Sequence, residues 1–148
     1  MDYRSIETLA KPENSLELSK FCAFIAKDRL AKNVLIIDVS TTDSSITDYF
    51  VVCTGESNAQ IEAIHDKILE KCRELGVDKP KSEGSDHKEW ILFDFFDVVV
   101  HIMLPDIRQF YNVEKIWADG KFLYLNDDME FEELSELDVV KLLKENYT

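Results

Sequence analysis

Asp48-Tyr49-Phe50-Val51-Val52-Cys53-Thr54-Gly55-Glu56-Ser57 reads as a buried strand, a tight turn and the cap of a helix. Aromatic and β-branched residues suit a pleated surface, and no charge interrupts the run from Tyr49 to Thr54. Ser57 or Asn58 then offers a side-chain oxygen to the free amides of a first helical turn. Ile61, Ile64, Ile68, Cys72 and Leu75 follow at helical spacing, and Gly76 supplies a left-handed stop. A strand running directly into an amphipathic helix, in a chain of 148 residues, points to one α/β domain with room for a tail.

Working outward, Asn14 followed by Glu17 predicts a helix start, a cap with an acid three residues on. Leu18, Phe21, Cys22 and Ile25 carry that helix to about Ala31, and Val34 to Val39 reads as a short strand. Beyond Gly76 the stretch Val77 to Asp86 is polar, with Pro80, Gly84 and space for an edge strand before Glu83. Trp90 to Asp94 and Val98 to Met103 are two strands too close together for anything but a hairpin. Pro105 ends the second, and Ile107 to Trp117 reads as one or two short helices. The expected fold is α/β, a mixed sheet of about five strands flanked by helices, occupying residues 1–118. Residues 119–148 hold nine acids and three lysines, a net of −6. They read as a solvated acidic extension, partly helical through Leu134, Leu137, Val140 and Leu143.

Composition narrows the function classes. Hydrophobic residues at 45% supply a real core, and a domain of this size buries roughly 70% of its unfolded surface. No stretch approaches the ~20 apolar residues of a membrane span, and Met1 to Pro12 lacks the apolar run of a signal peptide. A cytoplasmic protein is expected. Cys22, Cys53 and Cys72 are odd in number and far apart, so they read as buried free thiols. Thirty acids against 17 basic residues give a net charge of −13. That field repels phosphate backbones and favours basic partners, so little direct nucleic-acid contact is expected.

The segment from Asp48 to Trp117 resembles the ribosomal silencing factor (Iojap-like) family. The likeness rests on Asp48 through Ser57 and on Gln60, Ile61 and Ala63-Ile64. It continues in Ser82-Glu83-Gly84, Trp90 to Asp94, and Val98-Val99-Val100-His101. It closes on Arg108, Phe110-Tyr111, Glu114 and Trp117. One element departs. The family's hairpin turn usually holds a glycine, whereas here Asp94 and Asp97 bracket Phe95-Phe96, so another turn geometry or a bulge is expected.

The resemblance implies a nucleotidyltransferase-like fold without catalytic carboxylates, and so no enzyme activity and no cofactor. It implies binding to the large ribosomal subunit through its protein fourteen, which blocks joining of the small subunit and represses translation in starved or stationary cells. It also implies a homodimer when free.

The competing reading is an enzyme. Gly55-Glu56-Ser57 lies where a nucleotidyltransferase would cradle phosphate on backbone amides. That chemistry also needs clustered carboxylates for two metal ions. Asp94 and Asp97, three apart around two aromatics, read as flanking a turn instead. His65 and His87 have no ligand at metal spacing, and neither Ser57 nor Cys53 has an evident base. For docking, interface anchors are enriched in Trp, Tyr and Arg. Trp90 opens a strand after a charged loop, and Arg108 lies close to Tyr111 on one short helix, although Asp106 or Glu114 would equally pair with Arg108. The expected patch is therefore Trp90, Arg108 and Tyr111, edged by Glu83 and Asp94. His101 is either a hydrogen-bonded rim residue or part of the same face. Trp117, at helical spacing from Val113, reads as core.

Overall fold

A computed structural model describes residues 6–42 and 46–147. Helix α1, Ser15–Asp28, begins as the sequence predicts: the Asn14 side chain accepts from the Glu17 amide at 2.8 Å. The Glu17 carboxylate in turn accepts from the Glu13 amide at 3.2 Å. Strands β1, Lys32–Asp38, and β2, Tyr49–Thr54, follow. Helix α2, Asn58–Leu75, is capped by Ser57, whose Oγ accepts from the Gln60 amide at 3.1 Å, and ends on a left-handed Gly76. Then come β3, Lys81–Glu83; β4, Trp90–Asp94; and β5, Val98–Met103. Helices α3, Pro105–Tyr111, and α4, Val113–Ile116, meet at a left-handed Asn112. The chain closes with β6, Lys121–Leu125, β7, Phe131–Leu134, and α5, Glu136–Tyr147. No helix among the described residues is long and apolar enough to cross a membrane.

The strands form one mixed sheet in the order β3-β4-β5-β2-β1-β6-β7. Among the described strands only β2 and β5 run parallel, since α2 and the β3–β4 excursion carry the chain over between them. Alternation along each strand divides the core. Val34, Ile36, Val51, Cys53, Val100 and Ile102 face α1 and α2 on one side. Leu35, Ile37, Phe50, Val52, Met103 and Phe122 face the other, under Val113 and Val139. The three cysteines are buried free thiols; burial raises Cys53 to about 12 and Cys72 to about 11.

Two expectations are corrected. The sheet has seven strands rather than about five, and no break falls at residue 118. β6 continues the sheet beside β1, with Phe122 opposite Ile37 and Tyr124 opposite Leu35. Phe122 and Leu125 are buried on opposite faces, and the Phe131 ring meets Phe24 of α1 at 5.3 Å. A net charge taken over thirty residues concealed a five-residue apolar strand. The acids sit where they do no harm: Glu132 and Glu133 face outward on the edge strand, where charge deters pairing with another chain.

The β4–β5 hairpin also departs from a two-residue primed turn. The Asp97 amide donates to the Phe95 carbonyl at 3.1 Å across Phe96, which takes a φ of 78°. A bulky residue in that region costs roughly 1–2 kcal/mol. Four further bonds hold it there. The Phe96 amide donates to Asp94 Oδ1 at 2.8 Å, and Thr47 Oγ1 donates to the Phe96 carbonyl at 3.0 Å. The amides of Asp48 and Tyr49 both donate to the Asp97 carbonyl, at 3.0 and 3.1 Å.

Because Phe122 is buried among Leu35, Ile37 and Val139, Phe122→Ala is expected to destabilise the chain by about 3–5 kcal/mol in chemical denaturation. Deleting residues 131–148 should lower and broaden thermal unfolding, since it strips β7 and α5 from the sheet. A truncated chain that unfolds as sharply and as late as the full one would show that the segment adds nothing to the core.

Candidate docking face

The register places most of the expected patch on the α3–α5 face of the sheet. Glu83 pairs with Leu92, Leu92 with His101, and His101 with Val52, so all four share one row. The neighbouring row runs Lys81, Asp94, Val99 and Phe50. Toward the centre this face is covered, by Trp117 on Phe50 at 4.8 Å among others. Toward β4 it is open: Trp90, Leu92 and Val99 are half-buried, and Asp94 and Glu83 are exposed.

Trp90 anchors the open part. Its indole lies 4.8 Å from the Tyr111 ring at a tilt of 48°, and Tyr111 meets the exposed Phe110 at 5.0 Å. Its Nε1 donates to His101 Nδ1 at 3.0 Å. That bond requires an acceptor, so the ring proton of a neutral His101 lies on Nε2. Burial, and secondarily the nearby Arg108 charge, depress His101 to about 4, which keeps it uncharged at neutral pH. The loop into Trp90 is fixed as well. Asn58 Nδ2 donates to the carbonyls of His87 and Lys88, at 3.3 and 3.0 Å, and Lys88 Nζ pairs with Glu62 at 3.0 Å. Gly84 takes a φ of +84°, and a Cβ there would lie 2.0 Å from the Trp90 carbonyl oxygen. The Glu83-Gly84 pair therefore sets where Trp90 enters the sheet.

Arg108 is not part of the surface, and that expectation is corrected. Its side chain is 1% exposed. Nε donates to Glu114 Oε1 at 2.6 Å, while Nη1 donates to the Asn33 carbonyl at 2.7 Å and to Thr54 Oγ1 at 2.9 Å. The ion pair bridges the break between α3 and α4 and ties both to β1 and β2. Arg108 thus holds the helix that carries Tyr111 without facing a partner itself. His101 is 7% exposed and likewise works from beneath, through Trp90. Trp117, expected in the core, is half-buried and packs against it over Phe50. Leu92, Val99 and Phe110 went unread as surface residues. Strand alternation from Trp90 would have placed Leu92 on this face, but nothing local marks Phe110 as exposed rather than buried.

The Gly55-Glu56-Ser57 turn uses its amides for the fold's own bonds. The Gly55 amide donates to the Met103 carbonyl at 3.0 Å and the Glu56 amide to Gln60 Oε1 at 2.7 Å. A Cβ on Gly55 would meet Ile61 Cδ1 at 2.8 Å, so the glycine serves the packing of α2. Asp94 and Asp97 flank the hairpin turn.

The structure is thus a mixed α/β sheet with an open, acid-edged aromatic face on its β4 side. The chain matches the family model "Ribosomal silencing factor during starvation" over residues 12–144, and it belongs to that family. It is 36% identical over 116 residues to ribosomal silencing factor RsfS of Bacillus subtilis, a match spanning 78% of this chain and 98% of that one. It is 38% identical over 105 residues to the RsfS of Chromobacterium violaceum, spanning 71% and 85% of the two chains. A crystal structure of a Chromobacterium violaceum protein superposes with a TM-score of 0.66 at 36% identity, covering 71% of this chain and 87% of that one. Ribosomal silencing factors are regulators, and this chain is not an enzyme.

Two outcomes follow from the buried groups. Removing one partner of the Arg108–Glu114 pair, as in Glu114→Leu, should cost about 3–5 kcal/mol, and the double change Arg108→Met with Glu114→Leu should recover part of it. A double-mutant cycle measures the coupling, and strict additivity would mean that the two do not act as a pair. For His101, the folded value near 4 lies below the ~6.5 of an unfolded histidine. The unfolded chain therefore takes up the proton first, and stability should fall as pH drops from about 6.5 towards 4. His101→Asn, which keeps an acceptor for Trp90, should flatten that slope in urea titrations across the window.

Proposed function

We propose that this chain represses translation by occupying the face of the large ribosomal subunit that meets the small one, and that its direct partner there is ribosomal protein fourteen. The observation that carries this is the open aromatic cluster of Trp90, Tyr111 and Phe110, the last two 49% and 79% exposed, beside Glu83 and Asp94. Apolar anchors with an acidic edge suit a basic protein partner, and the net charge of −13 favours approach to one. Family membership supplies the ribosome as the setting. In this reading the chain acts in the cytoplasm of starved or stationary cells, contacts little RNA and is a homodimer when free. Its fold is kin to that of nucleotidyltransferases, with the chemistry absent.

Purified protein added to separated subunits should reduce full-ribosome formation in sucrose gradients and travel with the large subunit only. Trp90→Ala and Tyr111→Ala should each weaken large-subunit binding, a loss of ~2 kcal/mol being roughly thirtyfold. Circular dichroism must show both variants folded, because Trp90 is also half-buried. Subunits that associate normally in a large excess of folded wild-type protein would sink the proposal.

A further inference from the structure

The hairpin tip presents an arrangement that the core does not need. Phe96 is 81% exposed, yet it is kept at a φ of 78°, which glycine or asparagine would adopt with less strain. The bonds holding it come from both sides: Asp94 Oδ1 on β4, and Thr47, Asp48 and Tyr49 leading into β2. Those same residues bring Ile46, 90% exposed, to this end of the sheet. The outcome is a rigid apolar knob collared by Asp48, Asp94 and Asp97. Strain maintained by several bonds around a side chain that touches solvent is characteristic of a functional site.

We infer that Phe96, with Ile46 beside it, is a second anchor that inserts into an apolar recess on a basic protein of the large subunit. The inference rests on the docking reading above. Two observations argue for this occupant. The knob is continuous with the Trp90 face, because Asp94 shares that face with Trp90 and Leu92 and pairs with Val99. The collar carries three carboxylates, which disfavour an RNA phosphate surface and suit lysine or arginine around a recess. Lys11, Lys79 and Lys81 line a recess beside the tip together with Phe96, Asp94 and Asp97, and Glu13 and Asp78 keep the acids in excess there.

The test separates folding from binding by their opposite signs. Phe96→Gly removes both the strain and the anchor, so its thermal midpoint should rise by about 2–4 °C. Its affinity for large subunits should nevertheless fall about tenfold. Phe96→Asn, which tolerates the left-handed backbone and keeps the turn, should lose affinity equally. In addition, p-benzoylphenylalanine placed at position 96 should photo-crosslink to a large-subunit protein; crosslinking to ribosomal RNA alone would overturn the partner class. If Trp90→Ala weakens binding while both Phe96 variants bind like wild type, the second anchor is refuted and the docking reading stands. If the wild-type chain does not bind large subunits at all, the docking reading fails and this inference fails with it.

Discussion

One guanidinium organises the far side of this molecule. Arg108 is fully buried and reaches three elements at once: the Glu114 carboxylate on α4, the Asn33 carbonyl of β1 and the Thr54 hydroxyl of β2. The register between β1 and β2 slips between Lys32 and Leu35, and Asn33 takes a φ of 51° there. The irregularity turns the Asn33 carbonyl from the ladder toward the arginine. A buried cation is costly to desolvate and tolerable only when its partners are in place. Nη2 and Glu114 Oε2 make no hydrogen bond among the described residues, so little slack exists for losing another. The placement of α3 and α4, and of Tyr111 between them, follows from meeting that demand.

The docking face inherits its rigidity from this interior. Tyr111 stands three residues after Arg108, and its ring meets Trp90, whose indole is oriented by the neutral His101 beneath it. A preorganised aromatic pair loses little rotamer freedom on binding, which is why such pairs make efficient anchors. The arginine and histidine of the signature thus support this face from below, while Trp90, Leu92, Tyr111 and Phe110 form its outer layer. Signature residues divide by burial: what lies under the face sets its geometry, and what lies on it is open to solvent.

The segment after Asp119 shows how charge misleads. Its acids are real and solvated, but none falls within β6, whose Phe122 and Leu125 pack on opposite faces of the sheet. The turn between β6 and β7 is stitched to α1 by Lys27 and Asp127 at 2.7 Å, a pair that depresses the exposed Asp127 carboxyl. Charge density over a window measures solubility, whereas strand formation depends on alternation over five or six residues. The two signals are independent.

Much of the fold was legible in the chain itself. The cap at Asn14, the strand from Tyr49 to Thr54, the helix between Ser57 and Gly76 and the hairpin strands are local patterns, set by propensity, capping and periodicity. The family signature was local too. Tertiary structure alone decided the rest, because it depends on partners distant in sequence. Strand order, and hence the union of β6 with β1, is a pairing across about ninety residues. Whether Arg108 faces solvent or the interior depends on a carbonyl 75 residues away. Sequence names the groups able to bind; only packing determines which of them are already used.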